Sequence, residues 1–291
     1  MRTPIRSLAV VAPAGPVPLD RFRRGLDVLE ALGRTTKVFF DESAGDDGFL
    51  AAPDAERAKR FIEAATSGAD AVIAARGGYG AYRLLRRLPA AAPGSPSSLP
   101  MTMIGFSDVT ALLLGLSRRW GWCGVHGPNV TTLADLDGPS LDAFRCFLDE
   151  PGGETAFCGL DVLYPGKGKG PLTGGNLSVL CSLLGTPEEP DLTGRVLFIE
   201  DVGEAPYRLD RLLHHLASCR SFPSLAGLAV GDMGRGADDA VRQSLRALCA
   251  AHDLPAAAGL PVGHGASNYP LVLGIPAAID AGAGCLRLRP V

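Results

Sequence analysis

The chain is poor in aromatic residues, which make up 6% of its 291 residues, and its formal net charge of −3 gives no positive excess. No cluster of Lys and Arg with interleaved aromatic residues occurs, so nucleic acid is not an expected partner. No apolar run approaches the length of a transmembrane helix, and the first apolar stretch is too short for a secretory signal. We therefore expect a cytoplasmic protein that has no membrane as partner.

The chain also lacks the usual signatures of a metal site. Its five histidines have no ligand spacing, and H-E-x-x-H does not occur. Its seven cysteines are scattered, odd in number and without a C-x-x-C pair. Most of them lie among apolar residues, as expected for small core side chains in a reducing compartment. The sequence thus predicts neither a metal nor another cofactor.

Hydrophobic residues form 46% of the chain, enough to build the cores of two domains or of one large one. Strand and helix patterns alternate through the first half, from a predicted strand at 7–12 to another at 121–125. This alternation predicts a parallel sheet covered by helices, with ligands at the carboxyl ends of its strands. Residues 151–170, rich in Gly and Lys, are predicted to connect an N-terminal domain at 1–150 to a C-terminal domain at 171–291.

The clearest chemical signal is a serine at a predicted strand-to-helix junction. A strand-like apolar run over 101–106 leads into Ser107, and a helical apolar period begins at Asp108. Such a serine presents its hydroxyl at the strand end, and the next backbone N–H can hold an oxyanion. The hydrolase elbow G-x-S-x-G is incomplete, because its last position is Val109. A helix N-cap is therefore the alternative interpretation.

A nucleophilic serine needs a histidine base and an acid that orients it. His126 and His264 each follow a short apolar run in a Gly-flanked turn, where catalytic groups tend to lie. The pattern does not choose between them. The apolar run at 196–199 ends at Glu200 and Asp201, where an unpaired carboxylate is costly. Either acid is thus a candidate relay group, or a cap of the following helix.

Two glycine-rich segments add candidate binding groups. Residues 76–80, R-G-G-Y-G, follow a predicted strand, and Gly77 and Gly78 allow the backbone to approach a substrate oxyanion. A phosphate loop is the competing interpretation, but the spacing matches neither G-x-G-x-x-G nor the P-loop. Farther on, G-G-N at 174–176 opens an apolar helix, and Asn176 is a good N-cap there.

Six sequence segments follow one another along the chain in this order: AARGGYGAYRLL, IGFSDVTALL, VHGPN, GGNLSVLCSLLGTP, LFIEDVGEAPYRLDRLL and PVGHGASNYPLVLGIPAAID. They resemble the blocks of the LD-carboxypeptidases, the serine peptidases of the muramoyltetrapeptide carboxypeptidase family. The resemblance implies that Ser107 is the nucleophile, Glu200 the relay acid and His264 the base. The chain departs from the family at Ala14, where a serine is usual, and in the longer loop N-Y-P-L-V-L-G at 268–274.

The resemblance also implies a fold and a substrate. The expected fold is α/β: a Rossmann-like parallel sheet, then a smaller mixed α/β domain with a barrel-like sheet, in a homodimer. The expected reaction cleaves the amide between an L-centre (diaminopimelate or lysine) and terminal D-alanine in murein tetrapeptides. The backbone N–H groups of Gly78 and Asp108 would hold the oxyanion. Arg76, Asn176 and His126 would bind substrate, with a structural role as the alternative for His126.

Two other functions are compatible with this pattern. One branch of the same family hydrolyses peptide-nucleotide antibiotics such as microcin C, and the motifs do not separate the two branches. An aromatic-rich insert that could stack on an adenine would favour the antibiotic branch, and this chain, with few aromatic residues, has no obvious one. A non-catalytic ligand-binding protein with two α/β lobes is the alternative from another class. The ordered Ser, Glu and His blocks count against it.

Overall fold

The computed structural model describes residues 3–42, 48–93, 101–234 and 239–289. The chain divides into two compact units. The first unit is Met1–Pro151 with Tyr269–Leu271, and the second is Gly152–Asn268 with Val272–Val291. The late segment Tyr269–Leu271 therefore belongs with the first unit, although the sequence analysis assigned all of 171–291 to one C-terminal domain.

The first unit is built on a six-stranded sheet. Its strands are β1 (Ser7–Val11), β2 (Thr35–Val38), β3 (Ala71–Ala74), β4 (Thr102–Gly105), β5 (Cys123–His126) and β12 (Leu271–Val272). Its helices are α1 (Leu19–Ala31), α2 (Asp54–Ala65), α3 (Ala81–Leu85), α4 (Thr110–Trp120) and α5 (Gly138–Asp149). Strands β1 to β5 pair in parallel in the order 2-1-3-4-5, and β12 adds an edge beside β5. The Rossmann-like parallel sheet is thus confirmed.

The pattern of apolar residues explains this sheet order. Strands β3, β4 and β5 are buried along their whole length, as is β1 after its first residue. Parallel strands covered on both faces require such continuous apolar runs. Strand β2, T-T-K-V, has mostly exposed side chains and lies at the edge of the sheet. Its Lys37 is the kind of residue that keeps an edge strand from pairing with another chain.

The sheet reverses its winding direction between β1 and β3, which is where doubly wound sheets open a crevice for ligands. The loops that follow these two strands are joined there, because the N–H of Gly15 donates to the carbonyl of Gly77 at 3.0 Å. Ser107 follows the next strand, β4. The predicted glycine loop and the predicted nucleophile therefore lie at the same carboxyl edge of the sheet.

The second unit contains an eight-stranded sheet and three helices among its described residues. Its strands are β6 (Thr155–Cys158), β7 (Asp161–Tyr164), β8 (Lys167–Asn176), β9 (Val196–Glu200), β10 (Gly227–Val230), β11 (Ala256–Ala258), β13 (Pro276–Asp280) and β14 (Cys285–Leu288). Its helices are α6 (Leu177–Leu183), α7 (Pro206–Ala217) and α8 (Asp239–Ala251). Strands β8 to β11 are parallel, antiparallel strands flank them, and the sheet curls into a half-barrel. The expected mixed α/β fold is thus confirmed.

The prediction that 151–170 is a connecting segment is wrong. This stretch contains β6, β7 and the first residues of β8. The glycines that suggested a linker serve close packing instead: a Cβ on Gly168 would overlap the carbonyl of Ala226, and one on Gly170 that of Gly194. Glycine at alternate positions of a strand therefore marks a face on which other backbone lies.

Two cysteines differ from the expectation of unpaired core thiols. Cys158 on β6 and Cys285 on β14 lie directly opposite each other in the antiparallel register and form a disulfide. The pair is separated by 127 positions in sequence, so no local pattern indicates it. The free cysteines are Cys146, which is exposed, and four buried ones, Cys123, Cys181, Cys219 and Cys249. Within the described residues, no helix is both long enough and apolar enough to cross a membrane.

We predict that alkylation of the unfolded, unreduced protein labels five cysteines, and that reduction raises this number to all seven. Reduction should lower the free energy of unfolding by about 2–4 kcal/mol, because the cross-link restricts the unfolded chain. Thermal melts with and without dithiothreitol measure this, and Cys158→Ser should reproduce the reduced state. Cys146→Ser should leave the reductant effect unchanged. Labelling of seven cysteines before reduction would contradict the pairing.

Candidate active site

Ser107 lies on a strained turn between β4 and α4. Its φ of 64° is in the left-handed region, where a side chain costs about 1–3 kcal/mol. The elbow that presents a nucleophilic serine in hydrolases has this same sharp strand-to-helix geometry. The short 3₁₀ turn Ser107–Val109 has Phe106 at its N-cap, and α4 has Val109 there. Ser107 thus occupies neither N-cap position, and the capping interpretation loses its support.

The Gly77–Gly78 segment lies against the Ser107 side chain. A Cβ on Gly77 would lie 2.9 Å from Ser107 Cβ and 3.1 Å from its Oγ, so only glycine permits this approach. Gly78 has a φ of 104°, and its neighbour across the β1/β3 crevice is Gly15. The predicted oxyanion loop is therefore next to the predicted nucleophile, within one unit.

Asp108 follows Ser107, and its carboxylate faces the protein. Its Oδ2 accepts the N–H of Ala81 at 2.7 Å. Burial raises the pKa of Asp108 to about 6, although the N–H groups of Ala81 and Gly80 and the charge of Arg57 oppose the shift. The side chain therefore binds the segment that follows the glycine loop, while its backbone N–H stays a candidate oxyanion donor.

Glu200 and His264 are brought together in the second unit. Glu200 ends strand β9 with no exposed surface, and its Oε2 lies 2.7 Å from Nδ1 of His264. His264 stands in a turn between Gly263 and Gly265, where a Cβ on Gly263 would lie 2.7 Å from Asp232 Cβ. Burial raises the pKa of Glu200, and hydrogen bonds from His264 and Asn176 oppose the rise. This is the pairing expected of a relay acid and a base.

Asp201 has a different task from its neighbour. Its carboxylate accepts the N–H of Ser178 at 2.8 Å, the Oγ–H of Ser178 at 2.7 Å and the N–H of Val202 at 2.7 Å. Asn176 caps the same helix, α6, by accepting the N–H of Val179 at 3.1 Å. Asp201 therefore stabilises the start of α6, upstream in the chain. Neither acid caps the following helix, α7, whose N-cap is Ala205.

The remaining predicted residues have structural contacts. His126 is fully buried, and its ring lies edge-on to that of Phe106 with 5.8 Å between the ring centroids. This burial favours a structural role for His126 over substrate binding. Arg76 donates from Nη1 to the carbonyl of Pro16 at 2.6 Å and so joins the loops after β1 and β3. Its place on the substrate side stays a prediction. Among the residues described, His, Cys, Asp and Glu side chains form no group suited to a metal ion.

The buried cation Arg57 in the first unit was not predicted from the sequence. Arg57 on α2 is 3% exposed and donates to the nearby carbonyl of Ala52 and to the carbonyls of Pro13 and Gly80, which lie on loops distant in sequence. The only local signal is its i,i+3 ion pair with Asp54 at the start of the helix. That signal is common on helix surfaces and says nothing about the loops that the guanidinium reaches.

We predict that Glu200→Gln makes the protein more stable at pH 8. The raised pKa of Glu200 means that the folded protein binds this proton more tightly than the unfolded chain does. Stability is therefore lost as the pH rises above the ordinary value of 4.5. Glutamine removes that loss, so the gain should shrink as the pH falls toward 4. Urea unfolding across this range measures it.

Asp201→Asn is the matched control. It removes acceptors from buried N–H and O–H donors and should cost about 1–3 kcal/mol. If Glu200→Gln is the less stable variant of the two at pH 8, the assignment of the two acids is reversed.

Comparison with known proteins covers both units. The family model of the LD-carboxypeptidase N-terminal domain matches residues 8–127, and that of the C-terminal domain matches residues 169–279. A putative carboxypeptidase of Streptomyces coelicolor is 36% identical over 97% of this chain and 93% of its own. A probable murein peptide carboxypeptidase of Bacillus subtilis is 33% identical over 94% of this chain and 88% of its own.

Solved structures show the same similarity. The muramoyltetrapeptide carboxypeptidase of Oxalobacter formigenes superposes with a TM-score of 0.84 at 30% identity, covering 98% of this chain and all of that one (100%). The microcin C7 self-immunity protein in its wild-type apo state superposes with a TM-score of 0.86 at 20% identity, covering 100% of this chain and 98% of its own. At that identity the second likeness concerns the fold alone.

Proposed function

Since the chain belongs to the LD-carboxypeptidase family and is therefore a carboxypeptidase, we propose that it removes terminal D-alanine from murein tetrapeptides. The bond cleaved is the amide between the L-centre of the third residue and D-alanine. The names of the B. subtilis and O. formigenes relatives support this substrate. The observation that carries the proposal is the 2.7 Å contact between buried Glu200 and partly exposed His264, because it presents a histidine as an oriented general base.

In the proposed mechanism, Ser107 is the nucleophile and His264 the base. Nδ1 of His264 is bonded to Glu200, and we assign Nε2 as the ring nitrogen that takes the proton of Ser107. The Oγ attacks the scissile carbonyl, and the tetrahedral oxyanion is held by the backbone N–H groups of Gly78 and Asp108. His264 then gives the proton to the departing amine of D-alanine. Water, deprotonated by His264, hydrolyses the acyl-enzyme and regenerates Ser107.

We further propose that the protein acts in the cytoplasm, as a homodimer, on the free tetrapeptide or its UDP-MurNAc form. In that reducing compartment Cys158 and Cys285 would be two thiols, and the disulfide described above would be the state of the protein oxidised after purification. The dimer rests on the family resemblance, and light scattering tests it by showing twice the mass of one chain.

The decisive experiment is incubation with UDP-MurNAc-tetrapeptide, with free D-alanine as the readout. We predict release by the wild-type protein and a loss of several orders of magnitude in kcat for Ser107→Ala. Glu200→Gln should lower kcat by about 10³–10⁴ with little change in KM. Glu204→Gln, on the loop after the same strand, should be nearly silent. A Ser107→Ala variant that keeps a tenth of the activity would show that Ser107 is not the nucleophile, whereas no release by the wild-type protein would favour the non-catalytic alternative.

A peptidyl-sulfamoyl nucleoside serves as the competing substrate in parallel assays. Hydrolysis of this compound without release of D-alanine from the tetrapeptide would favour the antibiotic-immunity branch.

We predict that the two candidate histidines differ in kind. His264→Ala should remove nearly all activity together with the acidic limb of kcat/KM, because a protonated imidazole cannot accept the serine proton. His126→Ala should mainly lower stability, by about 2–4 kcal/mol, because it leaves a cavity at a fully buried site. Activity is compared at a temperature where circular dichroism shows both variants folded. An inactive His126 variant beside an active His264 variant would move the base to His126.

A further inference from the structure

One carboxylate at the candidate site has no part in the mechanism described above. Asp108 Oδ2 accepts the N–H of Ala81 at 2.7 Å, and the carboxylate also accepts the N–H of Gly80. Both donors lie in the chain just after Gly78, whose backbone N–H is one proposed oxyanion donor. Asp108 itself carries the other donor on its main chain. A single residue thus links the two donors.

The peptide between Gly77 and Gly78 is fixed at its other side by a main-chain bond. The carbonyl of Gly77 accepts the N–H of Gly15 at 3.0 Å. In a planar trans peptide the C=O and the following N–H point in opposite directions, and the described chain contains no cis peptide bond. The N–H of Gly78 is therefore directed away from Gly15, while Gly77 itself lies against the Ser107 side chain.

The far end of the glycine loop is held from two sides. The N–H of Gly80 meets Asp108, and its carbonyl accepts a hydrogen bond from Arg57 Nη1 at 2.9 Å. Gly80 has a φ of 123°, and a Cβ there would lie 3.0 Å from Arg57 Nη1. Of the loop residues, only Gly78 and Tyr79 are exposed. The loop is thus anchored at both ends, and its exposed part is the part proposed to contact the substrate.

We propose that the Asp108 carboxylate is a positioning group for the oxyanion hole, which keeps the N–H of Gly78 in register with the N–H of Asp108. A charged carboxylate suits this task because it accepts two N–H groups at once, with bonds stronger than those of a neutral acceptor. The position of the Gly78 N–H must be accurate, because an oxyanion donor acts only when it lies within hydrogen-bond distance of the developing charge. This inference rests on the proposed function and adds a role for a side chain that never touches the substrate.

The test compares Asp108→Ala with Asp108→Asn. Asp108→Ala should lower kcat for D-alanine release by about 10²–10³ while KM changes little, the loss expected for one oxyanion donor. Asp108→Asn keeps one oxygen acceptor and should recover about tenfold of that loss, so its kcat should stay below that of the wild-type protein. A peptidyl boronic acid forms a tetrahedral adduct on a nucleophilic serine. Its affinity for Asp108→Ala should fall by the same factor by which the substitution lowers kcat. The tripeptide product should bind all variants equally.

Asp70→Ala is the matched control within the same sheet. Its carboxylate also holds backbone N–H groups, those of Arg6 and Ser7 at 2.9 and 2.8 Å, but at the amino end of the strands. It should lower stability without changing kcat or boronate affinity.

Three outcomes are distinguishable. Equal weakening of boronate and product binding, or a rise in KM at constant kcat, would overturn the inference and make Asp108 a structural residue. Unchanged kcat in Asp108→Ala would overturn it as well. Failure of the wild-type protein to release D-alanine would instead overturn the proposed function. If Asp108→Ala does not fold, the isosteric Asp108→Asn variant is used for the test. A kcat and a boronate affinity equal to those of the wild-type protein would then overturn the proposed role of the charged carboxylate.

Discussion

A carboxylate with no exposed surface, Glu200, sets the arrangement of the second unit's site. Burial raises its pKa, and the hydrogen bonds from His264 and Asn176 oppose this rise. The ring of His264 reaches it at 2.7 Å because the flanking glycines allow the turn to pass close to Asp232. The neighbouring Asp201 is bound to α6 and is not available for this purpose. One buried carboxyl group thus has a histidine held between two glycines as its partner, and beside it in the chain a second acid that is bound to α6.

The features that could be predicted from the sequence are those set by local pattern. The strand-to-helix junction at Ser107 was predictable, because a continuous apolar run and a helical period meet there within a few residues. The strand predicted at 7–12 is observed as β1, Ser7–Val11, because its apolar run is likewise continuous. The α/β class and the parallel first sheet followed from alternation. The catalytic roles of Ser107, Glu200 and His264 stay predictions, although the geometry within each unit fits them.

The features that could not be predicted depend on contacts between distant segments. Whether Glu200 or Asp201 faces a histidine depends on the position of α6, which lies upstream of both. The glycines of β8 resemble a linker until the backbone of Ala226 and Gly194 is placed over them. The Cys158–Cys285 pair arises from the register of β6 with β14. Arg57 likewise binds the carbonyls of Pro13 and Gly80, on loops that the sequence does not bring together.

The return of the chain to the first unit at Tyr269–Leu271 has a consequence for dissection of the protein. A fragment that stops near residue 151 would contain every other element of the first sheet but not β12, so β5 would become an unpaired edge. Exposed strand edges of apolar sequence promote aggregation. The first unit is therefore contiguous in space but not along the gene, and a circular permutation or a short grafted strand would be needed to obtain it alone.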